Sequence, residues 1–346
     1  MGPLSGDVKL GRTAAPQSGR VARRDMLVGG GALGAGLLLF GCGSREATGG
    51  VLRASTTGKG EGDTGLLLRT AGIVPQGFRV DYSIFQSGHL VVEAFNGGSL
   101  DYGGMSEIPP VFAAASGVQS FRQIAVTHGD VNNQVVLLPR GSTIRTLADL
   151  KGRRVGYVKA TTSHYFLIRM LQSAGLEWGD ITPVAMGVSD GAAAFSSGAL
   201  DAWAIYGFPI QRAIATEGAR ILKTAFGFLS GNYIVAAHVD ALADPAKVKL
   251  IGEYLRLVKR GYAWAAAHQD RWAAVVAAEI GVPLGYVRDQ FRRKSDGYSL
   301  GPVDQAAIAS QQGVADLFAA QRLIPKAVDV RPLWDERFNA IIQEKV

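Results

Sequence analysis

Cysteine is nearly absent from this sequence: Cys42 is the only cysteine among 346 residues. A lone cysteine excludes disulfide bonds within the chain. Cys42 also lies at the end of an apolar N-terminal run, before the segment that we expect to fold. The predicted globular part therefore lacks the nucleophile on which a cysteine-dependent enzyme relies.

The content of charged residues is modest, at 19%, and 47% of the residues are hydrophobic. This composition is typical of a globular protein. The net charge is +7, but the basic residues are dispersed along the chain. No arginine-rich block is interleaved with aromatic residues, so we expect no nucleic-acid partner. A basic surface suits an anionic ligand or a membrane face, and it also serves simple solubility.

The N-terminus predicts an export signal. Arg23 and Arg24 begin a twin-arginine pattern, and the apolar, glycine-rich run from Met26 to Phe40 is too short to span a membrane comfortably. Gly41 and Cys42 follow, as in a bacterial lipoprotein cleavage box. We interpret Cys42 as the lipidated first residue of the mature protein; the alternative is an incidental thiol in a cleaved signal.

These features divide the N-terminal part in two. Residues 1–41 are a twin-arginine, lipoprotein-type signal, and residues 42–63, rich in Gly, Ser, Thr and charge, are a flexible tether outside the fold. The predicted location is the periplasm or the cell surface, with membrane attachment only through the lipid.

Two short segments repeat in the two halves of the chain. FNGGSLD at residues 95–101 matches FSSGALD at residues 195–201, and both follow an apolar helical pattern. Gly98 and Gly198 occupy the position at which a left-handed residue ends a helix. Leu-Asp then leads into a strand, and a proline follows where the next helix can begin. The same helix–glycine–strand unit therefore occurs twice.

Strand and helix patterns alternate along the chain after the tether. Apolar and β-branched runs predict strands at Leu66–Thr70, Arg79–Phe85, Gln123–His128, Gln134–Leu138, Arg154–Val158, Thr182–Ala185, Ala202–Tyr206 and Tyr233–Ala237. Apolar residues at helical spacing predict helices at Gly88–Asn96, Pro109–Ser116, Ser163–Ala174, Ser189–Ser197, Pro209–Glu217, Pro245–Gly281, Asp304–Gln321 and Arg331–Gln343. This alternation predicts an α/β protein with parallel sheets.

An α/β chain with two sheet lobes binds ligands at the carboxyl ends of its strands, between the lobes. We expect residues 64–133 to be the first part of lobe I and residues 134–232 to be lobe II. Residues 233–346 then return through the hinge and complete lobe I with C-terminal helices.

Five stretches resemble the periplasmic solute-binding proteins of ABC importers for aliphatic sulfonates, in the wider nitrate, sulfonate and taurine group. They are GGSLDYGGMSEIPPVFAAASG (97–117), STIRTLADLKGRRVGYVKATTSHYFLIRMLQSAGL (142–176), FSSGALDAWAIYGFP (195–209), SGNYIVAA (230–237) and ADLFAAQRLIPKAVDVR (315–331). The resemblance implies the two-lobed type II periplasmic binding protein fold, with two crossover hinge strands at Gln134–Leu138 and Tyr233–Ala237. It implies a monomer that binds a small organic anion, an aliphatic or aryl sulfonate, for the permease subunits of an importer, without a cofactor.

The chain departs from the family pattern at three places. Gly104-Met105-Ser106-Glu107 stands where the family usually has Ser-Thr-Gly-Asp, and Tyr206-Gly207-Phe208-Pro209 stands where it usually has Trp-Asp-Pro. The segment at residues 71–78 also leaves little room for a first helix that faces the ligand. Because Gly207 replaces an aspartate, we expect an amine-bearing tail to lose its partner, and Met105 and Phe208 to offer apolar contact instead.

The predicted anion site is the turn Thr161, Thr162, Ser163 and His164, between a strand and a helix. This stretch has neither a dinucleotide fingerprint nor a P-loop, but a helix N-terminus supplies N–H donors and partial positive charge. Its hydroxyls can add donors, or the turn can simply cap the helix. His164 could donate from its ring, and because no other ligand stands at metal spacing we expect no metal.

Further candidates come from the other loops. Gly104, Met105 and Ser106 would approach from lobe I, Tyr206 from lobe II, and Asn232 from beside the second hinge strand. For the aromatic residues, core packing is an equal alternative, and Asn232 can also be a turn residue. Glu107 would repel an anion, so we expect it to cap the helix at Pro109.

Other functional classes stay open. An enzyme on the same scaffold, similar to desulfinases, is one alternative, although no Ser-His-Asp or paired-carboxylate pattern replaces the missing cysteine. Nitrate, taurine or a sulfate ester could replace the sulfonate as ligand, and a sensor domain for a small acid is a third possibility.

Overall fold

The computed structural model describes residues 49–345, and the expectations for the export signal and for Cys42 lie outside them. Within this range no helix is both long enough and apolar enough to cross a bilayer. The described residues form eleven strands in two mixed sheets. The strands are β1 Val51–Thr57, β2 Arg79–Phe85, β3 Tyr102–Ser106, β4 Phe121–His128, β5 Gln134–Leu138, β6 Arg154–Tyr157, β7 Thr182–Ala185, β8 Ala202–Tyr206, β9 Arg220–Thr224, β10 Asn232–His238 and β11 Ser299–Gly301.

The two sheets share a five-strand topology, and the first sheet has one further strand, β11, at its edge. The first sheet has the order β11-β4-β10-β3-β1-β2, and the second has the order β7-β6-β8-β5-β9. In the first, β1 lies between β2 and β3 in parallel, and β10 returns antiparallel to β3. In the second, β6 lies between β7 and β8 in parallel, and β5 lies antiparallel to β8. We call the parts built on these sheets the first and the second lobe.

In the described range, twelve α-helices cover the sheets or connect their strands. They are α1 Thr64–Ala71, α2 Gly88–Asn96, α3 Ile108–Ala115, α4 Thr162–Ser173, α5 Val188–Ser196, α6 Phe208–Glu217, α7 Val239–Ala243, α8 Pro245–Ala267, α9 Gln269–Ile280, α10 Leu284–Arg292, α11 Gln305–Ala320 and α12 Asn339–Gln343. The chain crosses between the sheets twice, through residues 129–133 and 225–231. The predicted crossover strands are therefore β5 and β10, each of which directly follows one crossing.

The N-terminal boundary of the fold was predicted wrongly. The second half of the expected tether forms β1, an inner strand whose residues Leu52 and Ala54 are fully buried. The expected strand Leu66–Thr70 is instead part of α1, where Asp63 caps the helix by accepting from Leu66 N over 2.9 Å. The first helix that seemed to lack room is thus present, one element earlier than expected.

The C-terminal boundary also differs from the prediction. The expected helix Arg331–Gln343 is only a 3-10 turn, Arg331–Leu333, and the short helix α12. Strands β9 and β11 were not predicted, and β3 was predicted only as the strand that follows Leu-Asp, without bounds. Glycine-rich β3 pairs with β1 and β10 and is stabilised by these neighbours rather than by its own β propensity.

The repeated Leu-Asp segments have equivalent structures. Asp101 accepts from Arg53 N at the start of β1, and Asp201 accepts from Arg154 N at the start of β6, each over 2.8 Å. The same arginines reach the carbonyl oxygens of Gly98 and Gly198. Both glycines have positive φ, 65° and 76°, as predicted for residues that end a helix.

Candidate functional site

A cavity of about 180 Å³ lies between the two lobes, at the carboxyl ends of the parallel strands. Strands β1 and β3 contribute Ser55, Thr56 and Gly104 from the first lobe, and the end of β8 contributes Tyr206 from the second. The first crossing adds Asn133 beside β5. Both repeated units therefore open onto one cavity, where α/β sheets usually bind ligands.

The first residues of five helices line this cavity. They are Thr64 of α1, Gly88 of α2, Thr162 of α4, Val188 of α5 and Phe208 of α6. The N–H groups of a first helical turn have no partner within the helix, and each helix dipole adds partial positive charge there. Five such ends around one cavity make it suited to an anion.

Several buried hydroxyl groups in the cavity wall have no hydrogen-bond partner among the described residues. These are Ser55 Oγ, Thr56 Oγ1 and Tyr206 Oη. Ser55 and Thr56 are each 2% exposed, and burial raises the pKa of Tyr206, so its hydroxyl stays protonated. Buried polar groups are normally paired. These unpaired hydroxyls, on residues that line the cavity, are therefore the candidate donors to a ligand.

Six of the predicted site residues line the cavity, and three do not. The lining residues are Gly104, Met105, Ser106, Thr161, Thr162 and Tyr206. The other three are Ser163, His164 and Asn232, whose side chains lie outside the cavity lining.

Ser163 stabilises the turn rather than facing the cavity. Its side chain is fully buried, and its Oγ accepts from Val158 N over 3.0 Å. Thr161 Oγ1 donates to Val158 O over 2.7 Å and lies 3.0 Å from Ser163 Oγ. Both hydroxyls thus satisfy the backbone at the end of β6. The alternative that a hydroxyl of this turn caps the helix is wrong as well, because no side chain makes a cap hydrogen bond at the start of α4.

His164 is a core residue. Its ring packs between Tyr157 and Phe318, with centroid distances of 4.8 and 5.2 Å, and it is 1% exposed. Burial, together with the charge of Lys159, lowers the pKa of His164 to about 4, so the ring is neutral at pH 7. The expected donation to a ligand is therefore wrong, because the helix turns this side chain away from the cleft. In the described part of the chain no group of candidate metal ligands is found.

Asn232 begins β10 and pairs with His128 of β4. Its backbone N–H donates to Ser230 Oγ over 3.0 Å, which ties it to the second crossing. This agrees with the alternative of a structural residue beside a turn. Asn232 is therefore part of an inner strand and does not line the cavity.

Glu107 was expected to cap α3, but its side chain makes no cap hydrogen bond. Its carboxylate instead accepts from Ser230 Oγ over 2.6 Å and from Ser310 Oγ over 2.9 Å. The residue is 2% exposed, and burial raises its pKa to about 7. Glu107 therefore joins the first lobe to the second crossing and to α11, and points away from the anion site.

Sequence reasoning did not identify two carboxylates that line the cavity. They belong to Glu61 and Asp130. Asp130 is 1% exposed and lies in the first crossing, and Glu61 lies in the loop between β1 and α1. The expectation that an amine-bearing tail would lack an acidic partner rested on Gly207 alone. That expectation considered one loop only, whereas chain segments distant in sequence bring two other carboxylates to the same cavity.

Ser55 and Thr56 were also missed, because they lie in the segment interpreted as a tether. A signal was present: LRASTTG at residues 52–58 alternates apolar and polar residues and ends at a glycine, as a strand followed by a turn does. Gly58 has a φ of 79°, which confirms a turn that needs glycine.

Two α/β lobes that share a five-strand topology, joined by two crossings around a cavity between them, define a periplasmic binding protein fold of type II. The family model described as NMT1/THI5 like matches residues 76–272. An aliphatic sulfonates-binding protein of Escherichia coli K12 is 32% identical over 258 residues, which is 74% of this chain and 79% of the relative. The chain therefore belongs to the NMT1/THI5-like family and is homologous to these proteins.

Solved structures agree with this assignment. The periplasmic aliphatic sulphonate binding protein SsuA from Escherichia coli has a TM-score of 0.71 and 29% identity, over 83% of this chain and 92% of that chain. The alkanesulfonate-binding protein SsuA from Xanthomonas axonopodis pv. citri, bound to MOPS, has a TM-score of 0.72 and 28% identity, over 82% and 98%. The desulfurization enzyme DSZB shares the fold alone, with a TM-score of 0.57 and 15% identity, over 84% of this chain and 98% of that chain.

Proposed function

We propose that this protein binds a small organic sulfonate outside the cytoplasm and delivers it to the permease of an ABC importer. One observation carries this proposal: Ser55, Thr56 and Tyr206, whose buried hydroxyls are unpaired, line a cavity that five helix N-termini surround. The homologous proteins named above as sulfonate-binding support the same ligand class.

The chemistry of the donors favours a sulfonate head over a carboxylate. A sulfonate presents three oxygens in a tetrahedral arrangement and so accepts from several directions at once, whereas a carboxylate presents two oxygens in one plane. Of the described residues that line the cavity, only the exposed Lys59 is basic. Neutral donors and helix dipoles therefore carry the binding of the anion.

The rest of the cavity has room for a tail larger than that of taurine. Met105 and Phe208 line it and offer apolar contact, and methionine adapts to varied shapes. Gly207 has a φ of 72°, a conformation that glycine adopts readily, and the chain turns sharply there before Phe208.

Binding without chemistry fits the residues better than catalysis does. Cys42 is the only cysteine of the chain, and it precedes the described range. His164, the histidine next to the predicted anion site, is a neutral core residue. An activated nucleophile needs an adjacent base, and no such pair lines the cavity among the described residues.

We further propose that the protein is exported by the twin-arginine signal, is attached to the membrane through a lipid on Cys42, and acts as a monomer. The support for the anchor is the Gly-Cys end of the apolar run and the absence of any other cysteine. The periplasmic relatives support export.

Titration calorimetry with hexanesulfonate, taurine, nitrate, hexyl sulfate and hexanoate tests the ligand class. We expect hexanesulfonate to bind most tightly. Thr56→Val keeps the side-chain volume but removes a donor to a charged group, so it should weaken binding by about 10- to 100-fold. Thr216→Val is the matched control, since Thr216 is exposed and its hydroxyl donates to Arg212 O within α6. Stronger binding of nitrate or hexanoate, or an unchanged affinity of Thr56→Val, would contradict the proposal.

A further inference from the structure

The cavity has two chemically different ends. Its donor end lies over β1, with Ser55 and Thr56, and its other end lies over β4 and β10, with Asp130 and Tyr233. The two ends are close together, because Tyr206, whose hydroxyl is unpaired, is the register partner of Gln134 across β8 and β5, and the Cβ atoms of such cross-strand pairs lie about 5 Å apart. A short ligand whose head binds at the hydroxyls therefore brings its tail to Gln134 and Asp130.

The far end carries an uncompensated negative charge. Glu61 is paired with Lys294, whereas Asp130 has no salt bridge with any described residue. Asp130 Oδ1 accepts three hydrogen bonds, from Asn132 N and from the amide and hydroxyl of Ser295. Asp130 Oδ2 accepts only from Gln290 Nε2, over 3.3 Å. Burying an unpaired carboxylate is costly, so Oδ2 has capacity for a cation.

The same Gln290 amide also donates to Glu61 Oε2 over 3.2 Å. One neutral donor group thus serves two buried carboxylates, and their mutual repulsion is one of the effects that raise the pKa of Glu61, after burial. A positive charge placed at this end would relieve that repulsion as well as pair with Asp130.

An independent observation also indicates a donor ligand at this end. Gln134 Oε1 is buried and has no hydrogen-bond partner among the described residues, and Gln134 lines the cavity with 3% exposure. Its Nε2 atom is already used, because it donates to Tyr233 Oη over 2.8 Å. The free atom is an acceptor, so it calls for an N–H or O–H group.

Aromatic rings complete this end. Tyr298 lies 5.9 Å from Tyr233 and 5.9 Å from Tyr262, measured between ring centroids, and all three line the cavity. Tyrosine rings attract cations and also pack against alkyl groups. Acceptors and rings together suit a small alkylammonium group.

We propose that the preferred ligand is a zwitterion, a sulfonate whose far end carries a protonated amine that binds between Asp130, Gln134 and the tyrosines. This inference rests on the proposed function and specifies its ligand. The sulfonate binds the hydroxyls and helix N-termini, and the ammonium group neutralises the buried carboxylate and donates to the free acceptors. A neutral tail of the same shape leaves the Asp130 carboxylate and Gln134 Oε1 without a partner.

An isosteric pair of probes tests this directly. The zwitterion 3-(dimethylammonio)propane-1-sulfonate and the anion 4-methylpentane-1-sulfonate have nearly the same shape, and differ by N–H⁺ in place of C–H. Titration calorimetry on the wild-type protein at pH 7 should show at least tenfold tighter binding of the zwitterion. Equal binding of the two, or tighter binding of the neutral tail, would overturn the inference while leaving sulfonate binding intact. Binding of neither probe would overturn the proposed function and this inference with it.

A charge-removing variant then locates the cation. Asp130→Asn keeps the Oδ1 acceptor for the Asn132 and Ser295 amides but removes the charge. In this variant the ratio of the affinities for the zwitterion and for 4-methylpentane-1-sulfonate should fall to about one, while 4-methylpentane-1-sulfonate still binds. Asp240→Asn, at a side chain that is 90% exposed, is the matched control and should keep the wild-type preference. An unchanged preference in folded Asp130→Asn would overturn the placement, and if that variant does not fold, the wild-type comparison decides alone.

Discussion

Ser189 Oγ donates a hydrogen bond to Gln86 Oε1 over 3.1 Å, and this contact joins the two lobes beside the cavity. Gln86 directly follows β2 of the first lobe and lines the cavity, and Ser189 lies in the first turn of α5 in the second lobe. On the hinge side the lobes are joined by the two crossings. The contact therefore closes the cleft at the side away from the hinge.

We predict that ligand binding closes the two lobes around the hinge. Small-angle scattering with saturating hexanesulfonate should give a smaller radius of gyration than the free protein. An identical profile at proven saturation would contradict a hinge motion.

We predict that the contact between the lobes favours the closed, ligand-bound form. Ser189→Ala removes one hydrogen bond, worth about 1 kcal/mol, so affinity should fall about fivefold. Ser197→Ala is the control, because Ser197 Oγ donates to Ala194 O within the second lobe. Calorimetry on both variants measures the difference, and equal affinities would show that the contact does not contribute to closure.

Glu107 gives the protein a specific pH dependence of stability. Its folded-state pKa is about 7, raised from 4.5 by burial, so between these values the folded state holds a proton that the unfolded state has released. The free energy of unfolding should therefore fall as pH rises from about 4.5 to 7, by roughly 3 kcal/mol, and level off above. Urea unfolding of the wild type and Glu107→Gln at pH 5, 6, 7 and 8 measures this.

The Glu107→Gln variant should lose this part of the pH dependence. Glu253→Gln is the matched control, since the Glu253 side chain is 48% exposed, and it should keep the wild-type slope. The same slope in Glu107→Gln and in the wild type would show that another group titrates.

The equivalent residues Asp101 and Asp201 should contribute unequally to the free energy of unfolding. The Asp101 side chain is 3% exposed and pairs with Arg53 and Lys247, whereas that of Asp201 is 30% exposed. Asp101→Ala leaves two cations around a buried site and should destabilise by about 3 kcal/mol or more, while Asp201→Ala should cost about 1 kcal/mol. Urea unfolding of both variants at pH 7 compares them, and equal losses would contradict the role of burial.

Asp101 also stabilises the fold only above a certain pH. Burial opposes its ionisation, but hydrogen bonds from Arg53 and Lys247 outweigh burial and lower its pKa. Its contribution is therefore present above the unfolded pKa, about 3.9, and is lost as pH falls through the folded value.

Neighbouring hydroxyls at the start of α4 should have different roles. Ser163→Ala leaves the buried Val158 N–H without its acceptor and should lower the unfolding free energy by about 1–3 kcal/mol. Thr162→Val, at the residue that lines the cavity, should instead weaken sulfonate binding. Thermal shifts with and without hexanesulfonate separate the two effects, and the reverse pattern would place the ligand on Ser163.

The lipid anchor has a direct test. Cys42→Ser should give a form that is soluble or unprocessed, because no other thiol can accept an acyl chain. Fractionation and intact mass measurement check this. A variant that stays in the membrane with the mass otherwise expected of the wild type would exclude lipidation at Cys42.

Local sequence patterns predicted most elements of the two lobes. Strands β2, β5, β7 and β8 and helix α2 have the predicted bounds. The apolar run Leu66-Leu67-Leu68 was misread as a strand because short apolar runs fit either periodicity. The deciding features are the cap by Asp63 and the left-handed Gly72, with a φ of 70°, which begin and end α1.

By itself, the sequence determined the family, the repeated helix–glycine–strand unit and a donor-rich turn at Thr161 and Thr162, because these depend on local periodicity, capping and turn chemistry. Only the tertiary structure decided which side chains face the ligand. Helix α4 turns Ser163 and His164 into the core although they are adjacent to Thr162 in sequence. The sheet order brings Ser55 and Asp130, 75 residues apart in this numbering, to one cavity. Side-chain direction and long-range strand pairing are set by packing over the whole chain, which no local pattern records.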